Sequence, residues 1–394
     1  MIVGGGIGGL CAAIALVSKG VAVTVCERAS EFSEVGAGIQ LSPNATRILQ
    51  AWGFGPAIQA VAFRPDAVEA RGWLNGNLIG HTPLGNYIQS RLGAPYLHIH
   101  RADLLAILID FLQNSRLAQL RLASPISHCC PNGEPWVAVH TGEKISGDVL
   151  VGADGIHSII RATLFGTEAP RFIGNVAWRG IIPAKYITGR DVRPVTSLWM
   201  GPGAHFVHYY VRSGELLNFI GVVEANNVGN DTSTARRTKE ELVGHFENWH
   251  PTIQKIIAAA PEDGCFRWAL FDREPLAAWG KGRATLLGDA CHPTLPSMAQ
   301  GACMAIEDAA VLGECLDGIG KDRISAALKR FEALRKPRTT AIQLRSRHYA
   351  NLYHMRPPFS WARNFVMRAG VGFSGQAERI YAYDAFASAR SSPT

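Results

Sequence analysis

Eight cysteines occur in the 394-residue chain, yet no C-x-x-C pair and no regular cysteine spacing, so neither a zinc ribbon nor a disulfide framework can be read from them. Cys11, Cys26 and Cys303 fall inside apolar runs, which predicts reduced, core-packed thiols and a cytoplasmic location. There is no H-E-x-x-H and no clustered Cys and His, so no metal is expected. Apolar runs of membrane-spanning length are also missing, and Leu10 to Val17, which could imitate a signal-peptide core, follows a glycine turn where a basic region should stand. Repeats and low-complexity tracts are absent, and only the end after Ala387 reads as frayed. Acids are scarce in one stretch: residues 321–370 hold twelve Lys and Arg against Asp322 and Glu332, more than the whole net charge of +7. These cations interleave with apolar residues at helical spacing, which predicts a solvated helix face in place of a nucleic-acid or membrane surface.

Glycine is abundant, with 41 residues, many of them clustered between apolar runs. Gly4-Gly5-Gly6-Ile7-Gly8-Gly9 contains G-x-G-x-x-G through Gly4, Gly6 and Gly9. The apolar Met1 to Val3 precedes it, a helical Leu10 to Lys19 follows, and Glu27 closes the next strand, Val21 to Cys26. Such a turn seats a pyrophosphate on a helix N-terminus, where free N–H groups and the helix dipole favour an anion, while the acid binds ribose hydroxyls. Because the chain opens almost on these glycines, a few residues encoded upstream of Met1 are expected to complete the first strand.

Two further strand ends carry an acid beside glycine. Asp154-Gly155 follows Val149 to Val151, and Gly288-Asp289 follows Thr285 to Leu287 and leads to Cys291-His292-Pro293. Ligands of parallel sheets bind at such ends. Helical patterns cover Pro43 to Trp52 and Ala102 to Leu112, the latter entered through Arg101. Ala67 to Gly93 is strand-like, and Phe172 to Trp268 alternates as strands with hairpin signals, notably around Arg212-Ser213-Gly214. Residues 284–317 return to strand, loop and helix, with the helix starting near Gln300-Gly301, and 322–369 read as largely helical. On the strand Ala204 to Val211, His205 and Tyr209 share one face roughly 13 Å apart, with His208 and Tyr210 on the other. His292 fits a structural cap as well as a catalytic role.

Leu287-Gly288-Asp289-Ala290-Cys291-His292-Pro293, with Ala299-Gln300-Gly301-Ala302 and Glu307-Asp308-Ala309, resembles the flavoprotein aromatic hydroxylases, a group that includes salicylate hydroxylase and 3-hydroxybenzoate 6-hydroxylase. The resemblance runs from Met1 to about Asp384. It implies an α/β fold: a discontinuous Rossmann-like FAD-binding domain (1–66, 94–171 and 269–340), an interleaved β-sheet substrate domain (67–93 and 172–268) and a helical C-terminal part (341–394). It gives Glu27 to the adenosine ribose, Arg101 to the flavin phosphate or ribityl region and Asp289 to the ribityl chain or pyrophosphate. Asp154 and Gly155 support FAD and the incoming nicotinamide nucleotide. Arg28, Gly38, Gln40, Pro293, Gly301 and Ala302 complete the cofactor set, with Gly36 to Gln40 as the flavin-ring loop. His205 and Tyr209 are the implied catalytic residues. The implied reaction takes electrons from NADH or NADPH, captures O2 as a flavin hydroperoxide and transfers OH to a small phenolic or hydroxybenzoate-like ring, with a homodimer as a further expectation. Gln40 and Pro296 together look most like the salicylate hydroxylase group. The competing expectations are a larger quinone-precursor substrate on the same scaffold, or a flavin-binding redox protein without turnover.

Overall fold

A computed structural model describes residues 1–32, 37–187, 192–225, 235–236, 239–262, 265–369 and 374–391. Gly36, part of the expected flavin-ring loop, lies outside them. The apolar pair Ile2–Val3 forms an inner strand, parallel to Val23–Cys26 on one side and to Leu150–Gly152 on the other. Ala118–Arg121 and Ala284–Leu286 extend this sheet outward, and Gly280–Lys281 adds an antiparallel edge. The helix Ile7–Val17 is buried along most of its length because small residues let its neighbours approach; a Cβ on Gly313 of helix Gly301–Leu316 would lie 2.9 Å from Ala15 Cβ. The successive strand, turn and helix of the glycine motif thus stand as the sequence predicts.

A second sheet has eight strands, in the order Ala235–Arg236, Phe266–Asp272, Arg171–Pro183, Leu216–Glu224, Ala204–Val211, Thr196–Gly201, Ala67–Gly72 and Leu78–Pro83. Trp178, Phe206 and Phe219 on one face pack with Phe246 and Trp249. Its other face turns toward the nucleotide-type sheet. Arg212 at the hairpin between Ala204–Val211 and Leu216–Glu224 pairs with Asp103 at 2.8 Å, tying the hairpin to helix Arg101–Gln113.

The structure departs from the sequence reading in three places. Gly85–Leu92 is a helix inside the strand-like stretch, with Ile88 its one buried residue. Lys239–Phe246 and Pro251–Ala258 are helices within the strand-rich segment. Residues 388–391, expected to be frayed, continue the helix Ala385–Ser391, which buries Ala385 and Ala389; the last three residues lie outside the described ones. The basic stretch is mostly one helix, Ile324–Tyr353, followed by Phe359–Arg368, and no described helix is long and apolar enough to cross a membrane. The eight cysteines are free thiols, seven of them buried.

Candidate active site

A cavity of about 650 Å³ lies between the C-terminal ends of the parallel strands and the open face of the eight-stranded sheet. The residues named from the sequence for cofactor or catalysis line it except Gly9 and Pro293; of the expected flavin-ring loop, Gly38, Ile39 and Gln40 do so. Gly9 acts one layer back: a Cβ there would sit 1.9 Å from the carbonyl oxygen of Gly4, so only glycine lets the helix close on the first strand. Pro293 accepts a hydrogen bond on its carbonyl from Gln343 Nε2 at 3.0 Å and shapes the loop from behind.

At the nucleotide end, Gly4 has φ +108° and packs against Ala153, while a Cβ on Gly6 would meet nothing within 4 Å. The helix Ile7–Val17 has no side-chain N-cap and no acid in its first turn, so its free amides are open to an anion. Glu27 is held by Gly5 N–H donating to Oε2 at 2.6 Å and Ala29 N–H donating to Oε1 at 2.9 Å. Arg28 stands exposed beside it. Asp154 uses its carboxylate internally, accepting from Ser158 Oγ at 2.5 Å and from the N–H groups of Ile159 and Ile160, so it holds the turn and the helix Ile159–Phe165 in place. Burial pushes its pKa upward.

Asp289 is exposed to the cavity at the turn Gly288–Ala290, between the buried Gly288 and Ala290. Burial raises its pKa, while the charges of His292 and Arg101 pull it back. The helix Gly301–Leu316 presents Gly301 and Ala302 to the cavity, with no side-chain cap and no acid in its first turn. Beneath it, Asn44 Nδ2 donates to Gln300 Oε1 at 3.1 Å and to Glu307 Oε1 at 2.6 Å. His292 is structural: its Nε2 lies 2.5 Å from Asp308 Oδ2, buried behind the cavity wall.

At the sheet end, alternate residues form the wall. His205, Val207 and Tyr209 from one strand, Leu198 beside Val207, and Ile220 and Val222 opposite make an apolar strip with a polar group at each end. His208 and Tyr210 point away, His208 accepting from Trp199 Nε1 at 3.0 Å. Tyr209 lies 4.5 Å, ring to ring, from His98, and a Cβ on Gly38 would strike Tyr209 Cε2 at 2.7 Å, so this glycine sets the ring's position. Burial raises the Tyr209 phenol far above its usual pKa, against the opposing pull of Arg179 and Gln40; it remains a donor at neutral pH. Burial drives His205 well below its usual pKa, so it remains neutral and can accept. Tyr96 OH donates to Gln40 Oε1 at 2.6 Å at the junction of the two ends.

Several lining residues are not singled out from the sequence: Arg179, Tyr353 and Tyr381 come from three separate elements, and Tyr96 from the loop before Leu97–His100. Of these, Arg179 has a signal, as a cation flanked by apolar residues within the strand Arg171–Pro183 and on the same alternation as Ala177.

A nucleotide crevice opening into an aromatic-lined chamber defines a flavin-type oxidoreductase site. The chain belongs to the FAD binding domain family, whose model matches residues 1–346. It is 37% identical over 354 residues to 3-amino-4-hydroxybenzoate 2-monooxygenase PtnB3 of Streptomyces platensis, covering 90% of this chain and 88% of that protein. It is 36% identical over 366 residues to 3-hydroxybenzoate 6-hydroxylase of Polaromonas naphthalenivorans, covering 92% and 90%. The crystal structure of Klebsiella pneumoniae HpxO complexed with FAD and uric acid matches with a TM-score of 0.84 at 27% identity, covering 96% of each chain. The protein is therefore a FAD-dependent aromatic monooxygenase using NAD(P)H and O2, and the expectation of a flavoprotein without turnover is set aside.

The cavity fits FAD on its own features. The uncapped helix N-terminus beside Gly6 suits the pyrophosphate, Glu27 offers acceptors for ribose hydroxyls, and the uncapped helix at Gly301 offers amides to an electron-rich ring edge.

Proposed function

We propose that this enzyme hydroxylates a single aromatic ring bearing a hydroxyl and an anionic group such as a carboxylate, held against the sheet between His205 and Tyr209. The observation that carries this reading is Arg179. It stands on the cavity face of the sheet, its guanidinium 4.3 Å from the Trp268 ring, close enough for its charge to act on the Tyr209 phenol. Among the described residues lining the cavity, the acids Glu27, Asp154 and Asp289 all belong to the nucleotide end. At the sheet end Arg179 thus stands with no lining acid beside it among the described residues, which attracts an anionic ring there. The relatives' names, a hydroxybenzoate and an aminohydroxybenzoate monooxygenase, support the same class.

Gly4, Gly6 and the first turn of Ile7–Val17 would hold the pyrophosphate, Glu27 the adenosine ribose, and Arg101 and Asp289 the ribityl region. Gly38, Gln40, Gly301 and Ala302 would close on the ring system. The chemistry FAD supplies when bound is acceptance of hydride from NAD(P)H and activation of O2. Tyr209 donates to the substrate, neutral His205 accepts the proton of its hydroxyl, and the strip of Leu198, Val207, Ile220 and Val222 excludes water. The free thiols favour a reducing, cytoplasmic setting.

His205→Ala and Tyr209→Phe are expected to keep FAD and to lower coupling, the product formed per NAD(P)H consumed, with H2O2 making up the difference. Wild-type coupling and substrate affinity in both variants would reduce this sheet face to packing. Arg179→Gln is expected to raise KM for a hydroxybenzoate roughly tenfold or more, as loss of a hydrogen bond to a charged group implies, and to leave KM for the matching phenol unchanged. Equal effects on the two compounds would remove Arg179 as the anchor.

A further inference from the structure

We infer that His205, His354 and Glu224 form a path that carries the substrate's hydroxyl proton from the chamber to bulk water. The inference rests on the reading that His205 meets that hydroxyl. His205 Nδ1 lies 2.7 Å from His354 Nε2, and both rings are buried. This leaves His205 Nε2 for a ligand in the chamber. His354 caps the helix Ile324–Tyr353, and its Nδ1 lies 3.7 Å from Glu224 Oε1. The Glu224 side chain is 46% exposed, so the chain of groups begins in the cavity and ends in solvent. A small rotation of Glu224 or one bridging water closes the last gap.

The path is a built feature, with backbone contacts that fix each member. Gly203, in the turn between Thr196–Gly201 and Ala204–Val211, donates its N–H to His354 O at 3.0 Å and accepts from Glu224 N–H at 2.9 Å. Its φ of +71° and the absence of a side chain matter, because a Cβ there would come within 3.0 Å of both Arg356 Nη2 and Glu224 Oε2. Arg356 in turn pairs with Glu224 at 2.7 Å, and the Tyr353 ring meets His205 edge-on at 5.3 Å.

Burial lowers His354 to about 4, with Glu224 opposing the shift and Arg356 and Arg363 adding to it. His205 is likewise held well below its usual value, by burial and then by His354. Two neutral imidazoles each offer one donor and one acceptor, the arrangement a relay needs. A proton resting on either ring would be costly, so it is handed through. The substrate O–H bond breaks as His205 Nε2 takes the proton; the Nδ1 proton of His205 passes to His354 Nε2. The Nδ1 proton of His354 then passes to the Glu224 carboxylate and on to water. The ring is left as phenolate, the electron-rich form that accepts oxygen, and no oxidant is consumed.

The test follows formation of phenolate by its ultraviolet band after rapid mixing of oxidised holoenzyme with 3-hydroxybenzoate or 3-amino-4-hydroxybenzoate below the pKa of the free phenol. His354→Gln and Glu224→Gln are expected to slow the band about tenfold or more, in the range general acid–base groups supply, with substrate affinity held within about twofold. Free imidazole should restore the rate in His354→Ala, and Glu224→Asp should stay near wild type, which a packing role would not produce. Wild-type rates in both Gln variants, with His205→Ala slow, would overturn the path and leave the chamber reading standing. A wild-type rate in His205→Ala, or no phenolate in the wild type with either compound, would count against the chamber reading itself. If His354 variants lose FAD, Glu224→Gln at the exposed end decides alone.

Discussion

Arg335→Met is expected to destabilise the fold by about 3–5 kcal/mol, the cost of breaking a buried ion pair by removing one partner. Arg335 is fully buried, its Nη2 2.6 Å from Glu307 Oε2 and its Nε 2.7 Å from Asp308 Oδ1, both equally buried. Arg338 still meets Glu307 at 2.7 Å and His292 still meets Asp308 at 2.5 Å, which places the loss toward the lower end of that range. The pH dependence follows. Burial by itself would raise the Asp308 pKa, but His292 and Arg335 overturn it and hold the carboxyl at about 2; Glu307 is likewise lowered by Arg335 and Arg338 against burial. Groups with depressed native pKa values stabilise the fold above their unfolded values of about 4 and lose that contribution as pH falls through the native ones. Urea midpoints measured from pH 7 down to pH 3 should therefore fall for the wild type in that acid window, and fall less in Arg335→Met, whose two carboxylates have lost the cation that depresses them. An unchanged midpoint at pH 7 would show that the network contributes no net stability.

Asp289→Ala is expected to weaken FAD binding roughly tenfold to a hundredfold, the worth of a hydrogen bond to a charged group in a site shielded from water. Its backbone sits in a tight turn whose next residues, Ala290 and Cys291, accept hydrogen bonds from Arg161 on their carbonyls at 3.5 and 3.2 Å, so the loop survives truncation of the side chain. The purified variant should be pale, regain colour at high FAD, and melt near the wild-type apoprotein. Full occupancy as purified would remove Asp289 from the cofactor's contacts.

How far the site could be read in advance tracks how local its signals are. The Gly4 to Gly9 turn, Glu27, Asp154 and Gly288-Asp289 are short patterns of strand, turn and helix, and all stand at the crevice. The facing of His205 and Tyr209 follows from strand alternation alone, and the structure puts both on the cavity wall. His354 is 149 residues from His205, and no periodicity links them. Gly85–Leu92 escapes because it buries only Ile88, too little to leave a helical stripe. Pro251–Ala258 does carry Thr252, Ile253, Ile256 and Ile257 at helical spacing behind a proline, a pattern its strand-rich surroundings mask. The terminal helix is hidden for another reason: alanines at its contact with Gly301–Leu316 are too small to mark a face.

The roof of the chamber comes from the far end of the chain. Gln376, Ala377, Ile380 and Tyr381 of the helix Ser374–Tyr381 reach the cavity, while Arg338 Nη2 donates to Ile380 O at 2.9 Å and so ties that helix to the buried charges. One wall of the chamber is thus a short helix held by Arg338, Tyr349, Tyr87 and Arg91, and the nucleotide cradle is drawn from elsewhere. Such an arrangement lets selection, natural or in the laboratory, retune which rings fit by editing residues 374–381, with the flavin seat left untouched.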